Sequence, residues 1–187
     1  MEAVYYKKRL NSYLEVLKCC ADSMVWLKIS NSIMSDCKDL YLCAIYVPPD
    51  KNIFYRKYDC DVLQEHIKHY GALGNIAIIG DLNGRIGKAN DFIGHDLLST
   101  QLQSDISGLI DYTPDSPSER TTEDIKPANT FGRKILDLCK SSGVRVCNGR
   151  FGKSSGKFTF QNKNGCSVID YVLLSHESFS IVNNFMI

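Results

Sequence analysis

A chain of 187 residues with 44% hydrophobic and 23% charged residues has the composition of one ordinary globular domain, burying roughly 70% of its unfolded surface. Its net charge of +1 excludes any argument for nucleic acid from overall charge. No run approaches the ~18 apolar residues of a membrane span, and residues 1–9 lack the apolar centre of a signal peptide.

In chain order, residues 3–7 read as a short strand, followed by mixed polar sequence to Ala21. Residues 25–29 and 40–47 read as strands on either side of a turn at 35–39, and Pro48-Pro49-Asp50 ends the second. Tyr55, Tyr58, Val62, Leu63, His66, Ile67 and Tyr70 recur at helical spacing, which predicts a helix over residues 53–70. Residues 75–79 form an apolar run of buried-strand type, and Gly80 lets the backbone turn after it. Residues 84–130 read as a long loop, a length that is usually functional or mobile. A helix over 131–141 follows, with Gly143 as its C-cap, and then strands at 144–148, 157–161 and 167–174.

Eight cysteines include no C-x-x-C pair, and several lie in apolar runs. They read as small buried hydrophobes rather than a zinc site, which fits a reducing, intracellular setting, nuclear or cytoplasmic. Charge is unevenly spread. Residues 91–130 carry eight acids against Arg120 and Lys126, and residues 131–163 carry eight bases against Asp137 alone. The asymmetry reads as a basic face or as two ordinary solvated surfaces. Within it, Arg150, Lys153 and Lys157 punctuate a Gly- and Ser-rich hairpin, a pattern suited to phosphate contacts.

Two segments deliver carboxylates at defined points. Asp81 and Asn83 follow the 75–79 strand, an i, i+2 pair that shares a face if the chain stays extended. Asp170 sits inside a strand between Ile169 and Tyr171, where an unpaired carboxylate costs several kcal/mol. Such an acid needs a partner. The histidines offer little: His66 and His69 share a helix face without a third ligand, His95 lies in the loop, and His176 lies past the far end of the Asp170 strand.

Tyr46-Val47-Pro48-Pro49, Gly80-Asp81-Leu82-Asn83, Asn129-Thr130-Phe131-Gly132 and Ser167-Val168-Ile169-Asp170-Tyr171, in that order, resemble the endonuclease/exonuclease/phosphatase superfamily. That family includes abasic-site DNA endonucleases and the endonuclease domains of non-LTR retrotransposons. The wording of residues 80–87 and 143–149 is similar to the mobile-element branch. The resemblance runs over residues 41–175. It implies an α/β (α+β) fold, a two-layered β-sheet sandwich flanked by helices, and hydrolysis of DNA phosphodiesters with Mg²⁺ or Mn²⁺, without a small-molecule cofactor or membrane partner. On the family pattern Asp81 orients or deprotonates water, Asn83 and Tyr46 hold the phosphate, and Asp170 orients a catalytic histidine. Arg150, Lys153 and Lys157 become candidate DNA contacts.

The family's early Asn and metal-binding Glu, and its closing Ser-Asp-His, have no counterpart in this sequence. The resemblance therefore implies one incomplete domain over residues 1–187, an unknown metal-ligand set and impaired activity. Two alternatives stand beside the nuclease: a non-catalytic relic or nucleic-acid-binding remnant, and a lipid or inositol phosphatase of the same superfamily. A calcineurin-like metallophosphatase also uses Gly-Asp, but its downstream Gly-Asn-His-Asp does not occur in this chain.

Overall fold

Alternating burial explains the strands on which the molecule is built. In the computed structural model, which describes residues 4–17, 23–33, 38–49, 60–93, 119–152 and 156–182, Met24–Ile29 (β2) and Leu40–Tyr46 (β3) form an antiparallel pair. Trp26, Cys43 and Ile45 point into the core while Leu42 and Ala44 face the other way. Leu14–Leu17 (β1) adds an outer edge beside β2. Asn75–Asp81 (β4) runs parallel to β3, and the helix Cys60–Gly71 (α1) lies in the crossover between them. The helix Thr130–Ser142 (α2) leads into the short strand Val144–Val146 (β5). A hairpin of Phe160–Asn162 (β6) and Gly165–Ser167 (β7) precedes the last strand, Asp170–Ser175 (β8).

The result is a six-stranded mixed sheet in the order β1-β2-β3-β4-β8-β5, with β6–β7 as a separate two-stranded sheet. The mixed α/β class is the one the sequence implies. The two sheets are unequal, and the larger is open. Helices α1 and α2 cover one face of it, where Leu63, Ile67, Ile135 and Leu138 pack on Trp26, Cys43, Ile78 and Leu173. Ala77 and Leu174 mark the opposite face, joined by Leu42, Val172, Phe151 and Phe179. No helix among the described residues is long and apolar enough to cross a membrane.

Several local expectations need correction. Residues 4–7 are irregular and Lys8–Tyr13 form a 3-10 turn, so the first strand comes at β1. Among the described residues no strand pairs with residues 4–7, and Tyr5 is 94% exposed. Gly80 makes no turn. It lies within β4, where a Cβ would come 1.8 Å from the Ile45 carbonyl oxygen, so glycine is needed for the close approach of β3 and β4. The helix predicted from residue 53 is described from Cys60, and residues 53–59 lie outside the described segments. The strand expected over 167–174 is divided at residues 168–169.

α2 is anchored as its sequence suggests. The Asn129 side chain accepts hydrogen bonds from the Gly132 N–H at 2.7 Å and the Arg85 N–H at 3.0 Å, and Gly143 caps the other end in the left-handed region. The described parts of the long loop are tied down by ion pairs. Asp124 is buried and binds Arg85 at 3.1 Å. Among the five described cysteines, Cys43, Cys139 and Cys147 are buried and none forms a disulfide. Burial pushes the Cys147 thiol up to about 12, so it stays protonated.

Candidate active site

The β3–β4–β8 register builds the site. Tyr46 lies opposite Asp81 across β3–β4, and Asp81 lies opposite Asp170 across β4–β8. Period-two alternation along β4 puts Asp81 on the same face as Ala77, away from α1 and α2. Three of the four predicted catalytic residues therefore stand side by side on one rung.

The hydrogen bonds refine this rung. Asp81 turns its carbonyl toward β3, where it accepts from the Val47 N–H at 2.8 Å, and Leu82 N–H donates to Ile169 carbonyl at 2.9 Å. Asp170 turns its backbone the other way, its N–H donating to Thr159 Oγ1 at 3.1 Å and its carbonyl accepting from Asn148 Nδ2 at 3.0 Å. Asp81 and Asp170 thus form a non-hydrogen-bonded antiparallel pair, the arrangement that brings opposed side chains closest. Like charges placed directly opposite destabilise a sheet. Burial pushes the Asp81 carboxyl up, and the Asp170 charge adds to it. Bonds from the Asn83 backbone and side chain offset this only in part, so Asp81 holds its proton more tightly than an ordinary carboxyl.

Asn83 joins the cluster in a different pose from the extended i, i+2 pair. Its φ of 45° is left-handed, its backbone N–H donates to Asp81 Oδ1 at 2.8 Å, and its Nδ2 donates to the Val47 carbonyl at 2.7 Å. Asparagine tolerates that conformation better than most side chains and closes such turns with its neighbour's carboxylate. One amide hydrogen is spent on Val47, and the side chain also bonds the Asp81 carboxyl.

The basic residues separate. Arg150 does not join the site. Its guanidinium grips both oxygens of Asp91 at 2.7 and 2.8 Å and also donates to the Val146 carbonyl, with 3% and 1% of the two side chains exposed. Arg145 is buried as well, donating to the Cys139 and Val144 carbonyls. Two of the eight bases counted toward a basic face are therefore interior. Lys153 lies outside the described residues, while Lys157 is exposed two residues before Thr159. The described histidines lie elsewhere. His66 packs edge-on against Trp26 with ring centroids 6.0 Å apart, and burial holds its imidazole below the ordinary value. His69 packs on Tyr70. His176 follows the far end of β8, roughly 20 Å from Asp170 at strand rise. His95 is outside the described residues.

A groove of about 900 Å³ opens at that far end, between the C-terminal ends of α1 and α2, with Lys68, Ser142 and His176 in its wall. It brings no opposed acids together, so chemistry rather than size locates the site. The Asp81–Asp170 pair offers two hard oxygen donors that repel each other. Magnesium accepts one or two carboxylates when water and a substrate phosphate complete its shell, so these residues fit such an ion. Sequence reasoning missed Asn148 and Thr159, which hold the Asp170 backbone; polar side chains that bond backbone leave no periodic signal. Neither a protein-family model nor a curated protein matches the chain.

Proposed function

We propose that this chain carries a metal-dependent phosphodiesterase site of the DNA-endonuclease type, with slow turnover. The observation that carries the reading is the opposed pair Asp81 and Asp170 with Tyr46 next on the rung. The motif order that resembles the endonuclease/exonuclease/phosphatase superfamily supports it. Opposed acids weaken a sheet, and a fold keeps them where a cation or a proton is to be handled.

Asp81, at the end of β4, orients the attacking water or takes its proton. Tyr46, 39% exposed at the strand end, offers its hydroxyl to a phosphate oxygen. Asn83 holds the Asp81 carboxylate through its backbone N–H and its side chain. Asp170 supplies the second carboxylate. A magnesium or manganese ion, held by Asp81 and Asp170, would neutralise charge on the phosphoryl oxygens. Lys157 is the described candidate cation best placed to meet the DNA backbone. None of the three described histidines stands beside Asp170, so none of them protonates the leaving oxygen from there. A missing general acid typically costs about 10²–10⁴-fold in rate.

Nicking of supercoiled plasmid tests the reading. The expected result is slow relaxation that requires Mg²⁺ or Mn²⁺, stops with chelator and is lost in Asp81→Asn. Plasmid left intact at every cation concentration, or nicking that Asp81→Asn leaves unchanged, would overturn it.

A further inference from the structure

β5 ends at Val146, but its ladder along β8 does not. The Cys147 N–H donates to the Val172 carbonyl at 2.8 Å. From the Val172 N–H onward a side chain takes over from backbone: Asn148 Oδ1 accepts from the Val172 N–H and its Nδ2 donates to the Asp170 carbonyl, both at 3.0 Å. A carboxamide has the donor and acceptor of a peptide group, so it can occupy a ladder position without continuing the strand. Asn148 is 3% exposed, which shields those bonds from competing solvent.

The turn that presents Asn148 is clamped on both sides. The Arg150 N–H donates to the Cys147 carbonyl at 3.0 Å, while the Arg150 guanidinium is locked onto Asp91, whose Oδ2 also accepts from the Val146 N–H at 2.7 Å. Gly149 turns at φ 85°, and its carbonyl accepts from the Thr121 N–H at 3.0 Å. A Cβ at Gly149 would come 1.9 Å from the Thr121 carbonyl oxygen. Asn148 has little room to move, so on its carbonyl side Asp170 is held by a side chain that is itself fixed, while Thr159 holds its N–H.

We propose that Asn148 is a positioning residue for the carboxylate pair, holding Asp170 level with Asp81 through the backbone of β8. The inference rests on the phosphodiesterase reading for its effect on rate, but not for its structural content. Asn148 touches neither substrate nor the reacting atoms. It acts through Asp170, and a carboxylate displaced by about 1 Å can cost on the order of a hundredfold in rate.

The test compares the native chain, Asn148→Ala and a destabilised control far from the pair, Leu138→Ala. Hydrogen exchange by NMR reads the structural content directly. The Val172 amide should exchange at least tenfold faster in Asn148→Ala, while Tyr171, which faces β4, keeps its native rate. Nicking kinetics read the consequence: kcat should fall about tenfold to a hundredfold with KM unchanged, whereas Leu138→Ala keeps its kcat below its melting temperature. Unchanged Val172 exchange in Asn148→Ala overturns the proposal. So does a native kcat in Asn148→Ala once Val172 exchange has risen. If the native chain does not nick DNA, the functional reading fails alone, and the exchange result still decides whether Asn148 holds the Asp170 strand.

Discussion

Asp81 and Asp91 are two partly or wholly buried carboxylates with opposite fates, and the difference lies in what faces each. Asp81 faces Asp170; burial, then that charge, raise its proton affinity against the restraint of Asn83. A carboxyl raised on folding opposes the fold at pH above its folded value. The penalty disappears as pH falls below the ordinary value of about 3.9. Asp81→Asn should therefore raise the melting temperature at pH 7, by an amount worth up to about 1 kcal/mol and less where water screens the pair. The gain should shrink toward pH 4. Thermal unfolding at the two pH values checks this, and a lower melting temperature at pH 7 would contradict it. Asp91 is the reverse case. Burial pushes its carboxyl up, but the Arg150 bonds and charge and the Val146 N–H outweigh it and leave it below the usual range. Its contribution is present above about pH 4 and lost as pH falls through the lowered value. Arg150→Ala leaves a buried carboxylate without its guanidinium and should cost about 3–5 kcal/mol in urea unfolding. Arg150→Lys should recover little, because one ammonium cannot span both Asp91 oxygens and the Val146 carbonyl. An Arg150→Ala variant of native stability but weakened DNA binding would restore the phosphate-contact role that the sequence suggests.

Among the elements, those with a strong local signal are legible in sequence. β2 and β3 alternate cleanly, β4 is apolar on both faces as a central strand should be, and α2 carries Asn129 and Gly143 at its ends. Asn129→Ala should lower stability by about 1–2 kcal/mol, with Arg85 losing its tie to the helix in the same step; urea unfolding reads the cost. What escapes reading depends on distant partners. The strand read at 157–161 overlaps β6 only at its first two residues; Phe160–Asn162 is exposed throughout, so no buried alternation fixes its bounds. Gly80 reads as a turn because glycine permits one; the Ile45 carbonyl that demands a glycine there lies 35 residues earlier in the chain. Arg150 looks like a surface base because Asp91 is 59 residues away, in a stretch whose acids read as a solvated loop. Gly80→Ala tests the close approach itself. The added Cβ must part β3 from β4 and so Tyr46 from Asp81, with loss of both stability and nicking.

At the scale of the molecule, the helices sit on one face of the sheet and the acids at one end of the other. The cluster of Tyr46, Asp81, Asn83 and Asp170 is legible because its members fall at strand ends in a recognisable order. Their pairing on a single rung is not, since register is set by neighbouring strands rather than by any one of them. The central claim is that Asp81 and Asp170 act as one unit. A double-mutant cycle on Mg²⁺-dependent plasmid nicking, with Asp81→Asn, Asp170→Asn and the pair together, tests that most directly. Residues that act as a unit lose nearly everything with the first change, so the double variant should nick no more slowly than the poorer single one. Losses that multiply, or a fully active Asp170→Asn, would mean that the two carboxylates do not share a site.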